Sequence, residues 1–199
     1  IRLKRSFVRM EVIRKESDNR LRYYMFKRLN TGGEDLSPQE IRNCTIRLLS
    51  DSFNSLIVDL SKNSDFVSTL SYVSNRDLDR KYDQELVLRF FAFKNWMEGY
   101  VHEIGEFLTD YMEKVSDPEA NGEFDYDSER EIFEKTFSIF GATAGEWTFS
   151  GYNNSGKFMG RFLSLHYEAF CLGIQPYLSS LDPEDESQME DFRDKIKEI

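Results

Sequence analysis

Cysteine is scarce in this sequence: Cys44 and Cys171 are the only two among 199 residues. A disulfide-dense secreted scaffold is thereby excluded, and a reducing, cytoplasmic setting is the expectation. Prolines number four, at positions 38, 118, 176 and 183, so few helices can be broken from within. No apolar run approaches the roughly 20 residues of a membrane-spanning helix. The longest, Leu86 to Phe93, is interrupted by Arg89, and no membrane partner is expected. A signal-peptide pattern is also missing, because Ile1-Arg-Leu-Lys-Arg5 leads into mixed polar residues instead of an apolar stretch. Without an initiator Met, the chain reads as a fragment of a longer product. Histidine occurs twice, at 102 and 166, with no ligand spacing around either, so no metal site is assigned.

What the chain has in quantity is charge and aromatic surface. Charged residues make up 31% and hydrophobic residues 40%, the balance of a soluble globular protein. The net charge of -10 is unevenly spread. Residues 1–50 carry 12 Lys+Arg against 6 Asp+Glu, and residues 51–199 carry 14 against 30, net +6 followed by net -16. Anion binding, if present, belongs to the first quarter. The acidic remainder would repel a nucleic-acid backbone. Seventeen Phe and ten Tyr fall mostly at helical spacing, which assigns them to a core and not to base-stacking platforms.

Phe7-Val-Arg-Met-Glu-Val-Ile13 alternates apolar and polar residues and reads as a strand. Asp18 or Asn19 can cap a helix through Leu21, Tyr24, Met25 and Leu29, which must stop at Asn30-Thr-Gly-Gly33. The next helix start is complete. Ser37 is an N-cap, Pro38 occupies the first helical position, and Glu40 closes a Ser-x-x-Glu capping box. Ile41, Cys44, Thr45, Leu48 and Leu49 then form its apolar stripe. Helical patterns follow at 52–61, 64–73, 83–96, 100–115, 128–145, 157–180 and 184–198, with Pro176 kinking or ending the sixth. Phe158 to Ile174 is apolar around most of its circumference and is expected to be the central helix. The stretches 116–127 and 148–157 read as loops, and both cysteines and His166 as core residues.

Three segments carry chemistry worth weighing. Phe26 to Arg42 is helix, Gly-rich turn and strongly capped helix. Free backbone N–H groups there would favour an anion, with Arg28 and Arg42 supplying charge-assisted bonds. An ordinary helix–turn–helix connection has the same pattern. Gly151-Tyr-Asn-Asn-Ser-Gly-Lys157 fits Gly-x4-Gly-Lys, but Phe158 stands where a P-loop needs a hydroxyl for Mg²⁺. Asp117 to Ser128 scans like a calcium loop, yet Ser128 replaces the bidentate Glu at its twelfth position.

Arg28-Leu-Asn-Thr-Gly-Gly33, followed by Leu36-Ser-x-Gln-Glu-Ile-Arg42, resembles domain-of-unknown-function family 262. That is the N-terminal ParB/sulfiredoxin-like domain of GmrSD-type restriction endonucleases. Asp83-Gln-Glu-Leu-Val-Leu-Arg-Phe-Phe-Ala92 and His166-Tyr-Glu-Ala-Phe-x-x-Gly-Ile174 are similar to later helices of the family, so the resemblance spans residues 8 to 180. It implies nucleoside triphosphate binding and hydrolysis, with Mg²⁺, controlling DNA cleavage in defence against phage. By the same resemblance, Arg28, Asn30, Thr31, Gly32 and Gly33 would bind the phosphates. The family's Asp-Gly-Gln-Gln-Arg box lies upstream of this motif, and residues 1–25 contain no match to it. No His-Asn-His nuclease region is recognisable either, which leaves enzymatic activity of this chain open.

The expected architecture is therefore mainly α. Residues 1–50 would be the C-terminal part of a ParB-like α/β nucleotide-binding domain, and residues 51–199 a helical domain packed on it. Expected partners are a nucleotide and, through the basic N-terminal segment or a partner nuclease domain, DNA. A homo-oligomer is compatible with the pattern. The rival reading is a non-catalytic helical protein-interaction module.

Overall fold

The computed structural model describes Met25 and residues 36–117, 124–153 and 157–197. The expected strand Phe7–Ile13 and the turn Asn30–Gly33 lie outside the described residues, as does all but Met25 of the helix between them; Met25 is helical.

Helix formation follows local signals. Helix α1 (Pro38–Ile46) starts at the expected capping box: the Ser37 hydroxyl accepts from Glu40 N at 3.2 Å and a Glu40 carboxylate oxygen accepts from Ser37 N at 2.7 Å. Helix α2 (Ser52–Leu60) buries Phe53, Leu56, Ile57 and Leu60, an i, i+3, i+4, i+7 stripe. The short helices α3 (Ser64–Ser68) and α4 (Asn75–Asp79) are capped by Asn63 and Ser74, whose side-chain oxygens satisfy N–H groups that have no helical acceptor.

The centre of the molecule is helix α5 (Tyr82–Trp96). Leu86, Val87, Leu88, Phe90, Phe91 and Ala92 are all buried, so every face of its middle turns is covered. Helices α1, α2 and α4 pack on it, as do α6 (Ile104–Ser116) and α8 (Ser164–Gly173). Helix α7 (Tyr126–Thr143) brings Phe133 and Phe137, whose rings lie 4.4 Å apart. Phe137 meets Phe66 edge-on at 4.9 Å, and Phe133 meets Phe90 at 5.1 Å. Such edge contacts add about 0.5–1.5 kcal/mol per pair beyond the area they bury. Helix α9 (Glu186–Lys197) closes over α7, where Arg193 Nε donates to the Thr143 carbonyl at the α7 C-terminus and so meets its negative dipole end.

Between α7 and α8 stands an antiparallel hairpin of β1 (Ser150–Tyr152) and β2 (Phe158–Phe162), with an irregular register between Ser150↔Phe162 and Tyr152↔Phe158. This corrects two expectations. Residues 148–157 are not all loop, and the helical run expected over 157–180 begins as a strand. Gly160 sits at φ +63°, a conformation that no α-helix contains, and the Ser150 hydroxyl accepts from Gly160 N and Arg161 N. Periodicity alone does not separate a short apolar strand from a helix start.

Helix α8 is also not the central helix. It buries Tyr167 and Cys171, while Leu165 is 72% exposed. It ends at Gly173, and Pro176 falls in the single 3-10 turn that follows, Gln175–Tyr177, as the sequence led one to expect. Cys44 is exposed and only Cys171 is buried; the α1 stripe runs instead through Gln39, Arg42, Thr45 and Ile46. Among the described residues, no helix is long and apolar enough to cross a membrane.

Candidate functional site

Arg28, Asn30, Thr31, Gly32 and Gly33 lie outside the described residues. The described residues resume at Leu36, just ahead of α1. There Ser37 and Pro38 form one side of a pocket of about 360 Å³, and Ser74, Arg76, Asp77, Arg80 and Tyr82 form the other. The junction is built by one side chain: Ser37 Oγ donates to the carbonyl oxygen of Arg80 at 2.6 Å. The same hydroxyl thus caps α1 and ties it to the corner between α4 and α5. At that corner Lys81 takes the left-handed conformation, φ +66°, which turns the chain sharply into α5.

The pocket's chemistry suits an anion. Arg76 and Arg80 stand four residues apart across α4, a spacing that puts both on one face. Of the lining hydroxyls, those of Ser37 and Ser74 already donate to the Arg80 carbonyl and to Asp77, which leaves the Tyr82 hydroxyl as a donor. The one carboxylate in the lining, Asp77, accepts the Ser74 hydroxyl at 2.7 Å, while Ser74 Oγ accepts from Asp77 N. Burial raises the Tyr82 phenol above its ordinary pKa against the opposing pull of the Arg89 guanidinium, which lies 5.8 Å from its ring, so Tyr82 is a neutral hydroxyl at physiological pH. Arg76 and Arg80 were missed in the sequence reading because the net charge of residues 51–199 hid them. The pattern Ser74-x-Arg-Asp-x-x-Arg80, a capped turn with two arginines on one face, was the signal available.

Arg42 was expected to help bind phosphate, and the structure corrects this. Its side chain is 5% exposed and points into the helix interface, where Nη2 meets Glu85 Oε2 at 2.7 Å and Nε donates to Gln39 Oε1 at 2.9 Å. Glu85 shares its other oxygen with Arg89 at 2.9 Å, and Arg89 reaches Glu168 on α8 at 2.5 Å. Charges alternate along this row from α1 through α5 to α8, so each buried ion faces its opposite. Burial pulls the Arg89 pKa down, and Tyr82, Glu85 and Glu168 more than restore it. Its ion pairs hold the row in place. Arg89 Nε and Asp83 Oδ1 are nevertheless buried without a hydrogen-bond partner.

The remaining candidates separate clearly. Gly151 lies in β1 and Lys157 just before β2, so the Gly-x4-Gly-Lys segment spans a hairpin and not the strand-to-helix turn a P-loop requires. In the acidic stretch, residues 118–123 lie outside the described residues, and Asp125 is committed to capping α7 through N–H groups of Asp127 and Ser128. His166 is half-buried against Phe170, ring centroids 5.3 Å apart, with Nδ1 buried and unpartnered, not the satisfied core histidine expected. Among the described residues no cluster of three or more His, Cys, Asp or Glu has the geometry of a metal site.

The chain matches no family model, no curated protein and no solved structure.

Proposed function

We propose that this chain is the nucleotide-sensing part of a GmrSD-like antiphage restriction protein, which binds and hydrolyses a nucleoside triphosphate to control DNA cleavage. The observation that carries the reading is the arginine-lined pocket at the start of α1. Arg28, Asn30 and Thr31–Gly33, which the family resemblance assigns to the phosphates, precede Ser37 by four to nine residues in the sequence. Guanidinium groups and hydroxyls are the donors that phosphate oxygens take. Magnesium, when bound, would neutralise triphosphate charge, and Asp77 is the pocket carboxylate available to it. The basic first quarter would meet a DNA backbone or a partner nuclease domain. The charged row from Arg42 to Glu168 would hold α1, α5 and α8 in one register, so that a change at the pocket reaches the hairpin side of the molecule.

The test is the thermal midpoint of the full chain, and of the longest version of the gene product, with and without ATP or GTP and Mg²⁺. A bound nucleotide at a hundredfold excess over Kd stabilises by about 2.7 kcal/mol. That rise should vanish in Arg28→Ala and in Arg80→Ala, which keeps the carbonyl that Ser37 uses. No rise with either nucleotide in either version sinks the reading. A second reading, a non-catalytic helical interaction module, is favoured by Met97, Tyr100 and Val101, which are exposed together at the α5–α6 corner. Under it, midpoints ignore nucleotides, and Val101→Asp abolishes association measured by sedimentation velocity.

A further inference from the structure

Helix α8 is packed from one side only, and its other side, with α9, walls a cleft of about 530 Å³. We infer that this cleft binds an amphiphilic anion, an acyl or aryl carboxylate whose apolar body lies between the helices and whose carboxylate meets Lys195. The site is independent of the nucleotide reading, since a hydrated triphosphate has no counterpart in apolar walls.

Size and lining come first. The volume falls within the roughly 300–1,000 Å³ of small-molecule sites and exceeds that of the arginine pocket. Phe170 and Ile174 on the α8 side face Phe192 and Ile196 on the α9 side, and Tyr177 of the intervening 3-10 turn closes one end. Gly173, itself exposed, lines the opening of the cleft, and a methyl group placed on its Cα would meet no atom within 4 Å.

Charge then selects the occupant. Residues 51–199 hold 14 Lys+Arg against 30 Asp+Glu, yet the one charged residue in the cleft lining is Lys195, and no carboxylate lines it. Lys195 makes no ion pair among the described residues. The Ser180 hydroxyl already donates to the Tyr177 carbonyl at 2.9 Å, which leaves Lys195 and the Tyr177 phenol as the donors for a ligand head group. A cationic amphiphile would meet repulsion at the rim, and a neutral one would gain only a hydrogen bond from the ammonium, weaker than the bond a carboxylate accepts.

The test is calorimetric titration of the full chain with decanoate, and with decanol and decyltrimethylammonium as neutral and cationic probes of the same tail, all below their aggregation concentrations. Decanoate is expected to bind saturably, one per chain, about tenfold tighter than decanol, a step of about 1.4 kcal/mol. Lys195→Gln should lower decanoate affinity to the decanol level and leave decanol unchanged. Gly173→Leu, which sets a bulky side chain in the opening of the cleft, should abolish binding of both. If Gly173→Leu does not fold, the exposed Lys195→Gln decides alone. Absence of saturable decanoate binding, equal affinity for the ammonium probe, or decanoate affinity untouched by Lys195→Gln would each overturn the proposal.

Discussion

The hydroxyl of Ser37 donates to the carbonyl of Arg80 at 2.6 Å across a separation of 43 residues, while its oxygen caps helix α1 by accepting from Glu40 N. A residue that looks purely local therefore also fastens the first described helix to the α4–α5 corner and shapes the arginine pocket. Ser37 is 6% exposed, so neither bond is readily replaced by water.

Ser37→Ala should cost more than an ordinary cap. Loss of the cap accounts for about 1 kcal/mol, and the orphaned Arg80 carbonyl adds about 1 kcal/mol or more. Ser37→Thr keeps both bonds and should cost much less. Urea denaturation of the three proteins measures the difference, and a Ser37→Ala cost under half a kcal/mol would contradict the double role.

Glu40 makes the same junction pH-dependent. The Ser37 backbone N–H lowers its carboxyl pKa, with help from the Ser37 hydroxyl and the nearby Arg80 and Lys81 and against some desolvation. The folded-state pKa lies below the unfolded value of about 4.3. Its contribution is therefore present above that value and is lost as pH falls through the folded-state pKa. Thermal midpoints between pH 6 and pH 3 should fall less steeply in Glu40→Gln than in the parent protein.

In the buried row, Glu85 is shared by two guanidinium groups. Glu85→Leu leaves Arg42 and Arg89 facing each other and should cost about 3–5 kcal/mol. Arg42→Met should cost less, because Glu85 keeps Arg89. Combining the two should recover much of the Glu85→Leu loss, since the stranded Arg42 charge goes with it. Strictly additive costs in chemical denaturation would mean the pair is not coupled.

Two glycines should respond with opposite signs. Gly105, inside α6, has no neighbour within 4 Å of an added Cβ, so Gly105→Ala should stabilise by about 0.4–1 kcal/mol. Gly160 holds φ +63° with the Tyr72 ring 3.4 Å from that position, and Gly160→Ala should destabilise by about 1–2 kcal/mol. Equal effects would argue against the hairpin geometry.

Thiol labelling distinguishes the two cysteines. Cys44 is exposed, whereas Cys171 is buried and burial raises its thiol pKa well above the ordinary value. A native-state alkylation time course should modify one thiol promptly, at Cys44, and the second only in denaturant. Mass spectrometry of the peptides reads this directly.

How far the fold could be read in advance depended on the range of the signal. The capping box of α1, the stripe of α2, the long helices α5 to α7 and the break before Pro176 follow from contacts within a turn or two, and they appear at or near the expected positions. The hairpin did not announce itself. Its strands are three and five residues long, and Phe158 and Phe162 sit at a spacing that a helix shares. What makes them strands is the pairing of residue 150 with residue 162, which the periodicity of either segment does not report.

The candidate pocket divides the same way. Ser37 and Pro38 are adjacent in sequence, whereas Arg76 and Arg80 join them only through the fold. Composition, capping and helical periodicity were enough to establish a mainly helical chain with an aromatic core, because those forces act between near neighbours. Which helix is central, that Arg42 turns inward to Glu85, that Cys44 faces water and that a cleft opens beside Gly173 were settled by packing between elements. Burial is a property of where a surface ends up among its neighbours, and a residue's own identity does not specify that.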